Sequence, residues 1–152
     1  MKKAVVIILL FLVTLLLSSC EDGCEKELKL VSRKEKPPVV LLNETTKIDA
    51  GNHRAWGIYV SVDHAMNATL HIEVKSNLDL NVWLVSGNEY SHLKRGESCS
   101  YFPTASRQRV IEFTCDFPVR LPGYYYLVLD NRFSIFTSKT ASVKVTRSEG
   151  IL

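Results

Sequence analysis

At 152 residues the chain has the length of one ordinary domain and not of two. With 46% apolar and 23% charged residues it is neither a disordered tract nor a multi-span membrane protein. The net charge of +3 includes Lys2 and Lys3, and without them 19 − 2 = 17 basic side chains face 16 acidic ones, a balance that offers no footprint for nucleic acid.

Met1 to Lys3 form a short basic start, Ala4 to Leu17 are apolar apart from Thr14, and Ser18 and Ser19 are small. This is the order of an export signal. Its apolar run of 14 residues is too short to cross the hydrocarbon layer, which takes about 20. Leu17-Ser18-Ser19-Cys20 resembles the lipobox of bacterial lipoproteins, which some archaeal surface proteins share; a plain cleaved signal is the alternative. The resemblance implies that residues 1–19 are removed, that the Cys20 thiol takes a diacylglyceryl group, and that the freed amine is often acylated as well. The mature chain would then be held by lipid at the cell envelope, outside the cytoplasm. Two or more acyl chains give stable attachment where one alone is marginal.

Residues 20–38 are crowded with charge and end in Pro37-Pro38, which suits a solvated tether, with a short helix from Cys24 to Arg33 as the alternative. Residues 39–152 turn to apolar-polar alternation broken by Asn, Asp and Gly, the mark of strands and turns. The runs are, in order, Val39 to Leu42, Trp56 to Val62, Leu70 to Lys75, Leu80 to Leu84, Arg109 to Phe117, Tyr124 to Asp130 and Ala141 to Val145. They predict an all-β fold, an antiparallel β-sandwich of seven or eight strands, jelly-roll or similar. Taking the apolar phase of each run, the expected interior is Trp56, Ile58, Val60, Leu70, Ile72, Val74, Val82, Leu84, Ile111, Phe113, Leu127, Leu129, Val143 and Val145. No segment shows helical periodicity.

An exported chain meets oxidising conditions, and Cys99 with Cys115 is the natural disulfide pair. Lipid on Cys20 leaves Cys24 over, either free or cross-linking two chains. The spacings do not suit a zinc site.

Residues 123–139, GYYYLVLDNRFSIFTSK, resemble the closing strands of the GOLD domain, the lumenal β-sandwich of the Golgi cargo-transport proteins. Gly123, Tyr125, Asn131, Phe133, Ser134 and Lys139 carry the likeness. Val128 stands where those proteins have a cysteine, and no coiled coil or sorting tail follows. The resemblance therefore implies a sandwich that binds other proteins, with no catalytic residues and no trafficking role. Locally, Asn131 and Ser134 are suited to bond the turn backbone.

Catalysis needs convergent titratable groups, and the sequence assembles none. Asp63-His64 reads as a surface turn. His71 and Glu73 share one strand face as two metal ligands, with no visible third, so no catalytic residue, metal or cofactor is assigned. The sequons at Asn43 and Asn67 matter only in a host that glycosylates exported proteins. The candidate binding surface is the segment from Gly87 to Arg109, the longest stretch between strong strands. It carries Tyr90, His92, Tyr101, Phe102, Arg107 and Arg109, and aromatic and Arg side chains favour partner binding. The expected function is a lipid-anchored, non-catalytic envelope module for a protein or carbohydrate. The alternatives are an accessory domain of a secreted or membrane enzyme, and a hydrolase or metalloprotein built on the sandwich.

Overall fold

A computed structural model describes residues 36–150; the expected export signal, Cys20, Cys24 and most of the expected tether lie outside the described residues. The fold is all-β and antiparallel, with six strands in a sheet curled into a half-barrel. The strands are β1 (Val39–Ile48), β2 (His53–Val60), β3 (Ala68–Ser86), β4 (Arg107–Pro118), β5 (Gly123–Asp130) and β6 (Lys139–Glu149). Between them lie helices α1 (Val62–Ala65) and α2 (Gly87–Lys94) and a 3-10 turn at Pro103–Ala105. The order across the sheet is β1-β6-β3-β5-β2, with β4 added on β3.

Six strands stand where seven or eight were expected because two runs of the sequence are one strand. β3 is 19 residues long and takes in both Leu70 to Lys75 and Leu80 to Leu84. The polar stretch between them, Ser76 to Asp79, bends without reversing the chain. Even-numbered residues face inward on both sides of the bend, from Ala68 to Leu84, so the pleat keeps its phase. At Ile72 the strand pairs with Cys115 of β4 and Val145 of β6; at Val82 it pairs with Arg107 of β4 and Leu129 of β5. One edge of β3 thus holds β4 on both sides of the bend, while the other passes from β6 to β5 there. That exchange of partners curls the sheet around its own apolar face.

Within the curl, Leu70, Ile72, Val74, Val82 and Leu84 of β3 meet Ile58, Val60, Phe113, Leu127, Leu129, Val143 and Val145, all buried as expected. Two residues of the expected interior differ. Trp56 is only partly buried, at a cleft of about 410 Å³ between the free edges of β1 and β2, where its indole N–H has no partner. Ile111 is 61% exposed. Its strand slips register where Glu112 pairs with Lys75 but Val110 pairs with Leu80, so the inward phase moves from odd to even residues opposite the β3 bend.

The expected Cys99–Cys115 bridge is not found: both are free thiols. Cys115 packs against the main core inside the curl, whereas Cys99 joins a second apolar cluster with Val85, Leu93 and Val128 on the outer face. The sheet itself separates them. Burial, reinforced by Asp116, pushes the Cys115 thiol up to about 11, and burial with Glu89 also raises Cys99. Both shifts favour the protonated thiol at neutral pH. Alkylation of the unfolded, unreduced chain is expected to label both Cys99 and Cys115; an unlabelled pair that reacts only after reduction would contradict this arrangement.

Candidate functional site

The outer face of β2, β5 and β3 carries a layer of aromatic rings, and the pairing register explains its order. Tyr59 lies directly opposite Tyr124, Gly57 opposite Tyr126, and Tyr126 opposite Val85. The Tyr59 and Tyr124 rings are 4.9 Å apart and tilted by 45°, Tyr124 and Tyr126 are 6.4 Å apart, and Tyr126 stacks on Tyr90 of α2 at 4.0 Å and 15°. Four tyrosines thus form a continuous strip. Gly57 is what admits it: a Cβ there would stand 3.2 Å from the Tyr126 ring. At one end of the strip Tyr59 and Tyr124 are each 56% exposed; at the other Tyr126 and Tyr90 are half-buried.

Helix α2 shelters the buried end. It sets Leu93 on Val85 and Val128, in the cluster that includes Tyr90, Tyr126, Trp83 and Cys99. The helix was absent from the sequence reading, although Ser86 and Glu89 have the spacing of a helix start. The Ser86 hydroxyl accepts from the Glu89 N–H at 3.3 Å. Beyond the helix Tyr101 lies on Trp83 at 4.8 Å, and the Trp83 indole donates to Asp130 at 3.4 Å. Burial pushes the Asp130 carboxyl up, but the hydrogen bonds and charge of Arg132, with the Trp83 indole, outweigh it and hold the group below its ordinary range.

The six residues assigned to the binding surface do not make one patch. Tyr90 belongs to the tyrosine strip and Tyr101 covers Trp83. His92 meets Glu97 at 2.6 Å, and Arg95 bonds both oxygens of the same carboxylate, so that Arg95 and then His92 hold Glu97 below its usual range. Phe102 is turned inward onto Phe117 and Tyr125. Arg107 caps the carbonyls of Pro103 and Ser106. Arg109 binds Asp79 at 2.7 Å and covers the Phe133 ring at 3.6 Å, away from the tyrosines. Gly87 to Arg109 is thus a folded segment with a helix, a 3-10 turn and the start of β4, and only Tyr90 and Tyr101 contribute rings to the outer layer. Tyr59 and Tyr124, its most exposed members, lie outside the Gly87 to Arg109 segment. Outward rings among Tyr124 to Tyr126 are suited by strand phase to stack on a sugar or a partner, whereas Tyr59 was not singled out, and its signal was the same phase, which points odd residues of β2 and even residues of β5 outward.

The acidic and histidine residues fall elsewhere. His64 bonds Glu149 at 2.8 Å rather than Asp63. On the outer face of β4, β3 and β6, His71 has Nδ1 2.6 Å from Asp116 and Nε2 3.5 Å from Glu73, which also receives Lys144 at 3.3 Å. A third group has therefore come beside His71 and Glu73, but the carboxylates sit on opposite edges of the imidazole and face no common point. Among the described residues no three His, Cys, Asp or Glu are placed to hold a metal ion. The row acts as a cross-strand ladder of charges on an exposed face.

The residues that carry the GOLD resemblance have local structural work. Asn131 donates its amide to the carbonyls of Ile48, Asp49 and Thr137, and the Ser134 hydroxyl bonds both the N–H and the carbonyl of Thr137. Lys139 is 3% exposed, bonds Asp79 and lies 4.0 Å from the Phe133 ring. Neither a scan against protein-family models nor a search of curated proteins found a match for this chain.

Proposed function

We propose that this chain is a lipid-anchored, non-catalytic module of the cell envelope that binds a carbohydrate or protein partner through its tyrosine strip, with a sugar as the better fit. The observation that carries the binding surface is the neighbouring pair Tyr59 and Tyr124, both more than half exposed on the outer face of the sheet. Large apolar side chains exposed singly are ordinary, but side by side, and continued by two further rings, they offer a surface with a purpose. A tyrosine has an apolar face and a polar tip. A sugar ring has the matching form, with a C–H face framed by hydroxyls. Gly57 leaves room for the Tyr126 ring, and α2 fixes the inner end of the strip, so little order is lost on binding.

The anchor rests on the lipobox at Leu17 to Cys20, and among the described residues no helix is long and apolar enough to cross a membrane. Intact-mass measurement of the native chain is expected to show an acylated N-terminal Cys20; an unmodified Cys20 would remove the anchor and leave the binding face to be tested alone. For that face, the double variant Tyr59→Ala with Tyr124→Ala should lose about tenfold or more in retention on an oligosaccharide array. The cross-strand pair it removes contributes only about 0.2–1 kcal/mol to folding, so the unfolding midpoint should fall by no more than a few degrees. Full retention by this double variant would sink the sugar reading.

A further inference from the structure

The connection from β5 to β6 is fixed from below. The Asn131 side chain ties it to the end of β1, Gly51 donates to the Ser134 carbonyl at 2.8 Å, and the Ser138 hydroxyl reaches Asp49 at 3.0 Å. Phe133 is folded under, between the cations of Arg109 and Lys139. What this frame leaves free is the apex, where Ile135 is 78% and Phe136 is 92% exposed. Leu78, 42% exposed, lies on the β3 bend that Lys139 and Thr140 contact, and Ile111, 61% exposed, lies opposite that bend. Two adjacent apolar side chains on a rigid convex tip, with two more behind them, fit no groove of this domain. We infer that the Ile135–Phe136 tip inserts into the surface of a lipid bilayer.

Charge at this end of the half-barrel supports a bilayer as the occupant. The segments that build it, residues 47–54, 76–81, 107–111 and 130–139, carry six Lys and Arg against three Asp. Lys47, Arg109 and Arg132 are partly neutralised by Asp49, Asp79 and Asp130, Lys139 is buried and shares Asp79 with Arg109, and Arg54 is exposed beside them. Apolar apex residues within a basic surround match the acyl boundary and anionic headgroups of a membrane surface. The reach of the chain also allows it. Lys36 bonds Glu149, which places the entry to the domain at the opposite end of β1 from the tip. The strand, 10 residues long, spans roughly 33 Å. From Cys20 to Lys36 the chain takes 16 steps, which cover about 50 Å when extended. Resting on the anchor proposed above, the domain can therefore fold over and touch the same membrane with its tip, a second point of attachment that leaves the tyrosine face at the side.

The test is Phe136→Trp in the full chain reconstituted in vesicles of phosphatidylglycerol and phosphatidylethanolamine, with a fraction of the lipids brominated in their acyl chains. Phe136 is almost fully exposed, so the substitution leaves the core untouched. The added indole is expected to shift to the blue and be quenched, while Trp56 and Trp83, measured in the parent chain, are not. Ile135→Ser in the same background should reduce the quenched fraction by about tenfold, and Arg54→Glu should lower it at low salt, a loss that high salt narrows by screening. An unquenched tryptophan in a chain that co-sediments with the vesicles would overturn the inference, and so would protection of the tip by a protein partner in its place. If the chain carries no lipid, adding it to preformed vesicles separates the two readings: quenching on mixing keeps the tip and discards only the anchor.

Discussion

Replacing Phe117 by alanine is expected to lower the folding stability by about 3–5 kcal/mol, the usual cost of removing a buried aromatic ring. Phe117 is 7% exposed and meets Phe102 at 4.8 Å and Tyr125 at 5.8 Å, and Phe102 and Tyr125 are themselves 5.7 Å apart. The three rings close one end of the core. Each comes from a different place: Phe117 from β4, Tyr125 from β5, and Phe102 from the segment between α2 and β4. Backbone bonds hold that segment in place, since the Phe102 N–H donates to the Leu84 carbonyl at 2.9 Å and the Leu84 N–H donates to the Ser106 hydroxyl at 3.0 Å. Tyr125 is fixed by its hydroxyl, which donates to the Leu121 carbonyl at 2.7 Å and pins the β4–β5 corner to the start of β5. With so many restraints the neighbours cannot collapse into the space left by Phe117, which puts the expected cost toward the upper part of the range. Urea unfolding measures it, and a loss below about 1 kcal/mol would mean that the triad relaxes freely. Phe102→Ala should couple to Phe117→Ala with a non-additivity of about 0.5–3 kcal/mol, because the two rings share one contact.

That triad also shows where the sequence was readable and where it was not. Phe117 and Tyr125 share the phase of Phe113 and Leu127 in alternating runs, so their face was legible although the expected interior named neither. Phe102 lies in a stretch without period, so nothing local distinguishes a ring that packs from a ring that binds; only the backbone bonds to Leu84 decide it. The same limit explains Cys99 and Cys115, whose separation of about 15 residues suits a bridge but says nothing of the sheet between them. Ser76 to Asp79 has the composition of a turn, yet the ladders on either side of it, to β4 and β6 before and to β4 and β5 after, keep β3 one strand. The phase slip at Ile111 is set by that bend in a neighbouring strand and leaves no trace in its own run. By contrast, the interiors of β2, β3, β5 and β6 follow the apolar phase closely, because a strand with one buried face has its register specified by every second residue. The tyrosine strip was half legible: the outward phase of Tyr124 and Tyr126 is plain, but their meeting with Tyr59 and Tyr90 depends on the β2–β5 pairing and on a helix whose only signal is its cap.

Asn131→Ala should cost about 3 kcal/mol and lower the unfolding midpoint on the order of 10 °C. Asn131 is fully buried, and its amide nitrogen lies 2.9 Å from the Thr137 carbonyl, 3.2 Å from that of Asp49 and 3.3 Å from that of Ile48. Carbonyls only accept, so the nitrogen must be the atom that faces them. Its backbone adds two more links, an N–H donated to Asn52 and a carbonyl accepting from Ser134. One side chain thus joins the end of β1, the β1–β2 turn and the β5–β6 connection, bracing the turns just beyond the last strand pairs, Ile48 with Lys139 and His53 with Asp130. Alanine leaves three carbonyls short of a donor in a place that water reaches poorly, and that is the expensive half of a lost hydrogen bond. Asn131→Asp should be worse at neutral pH, since it sets a carboxylate against the same three oxygens with no donor of its own, and it should recover toward the alanine value as acid protonates it. Ser134→Ala, whose hydroxyl bonds only the exposed turn at Thr137, serves as the mild control. Thermal unfolding of the three variants orders them: Asp below Ala below the Ser134 variant near the parent. An Asp variant as stable as the parent at pH 7 would mean that the buried amide does not hold these three segments together.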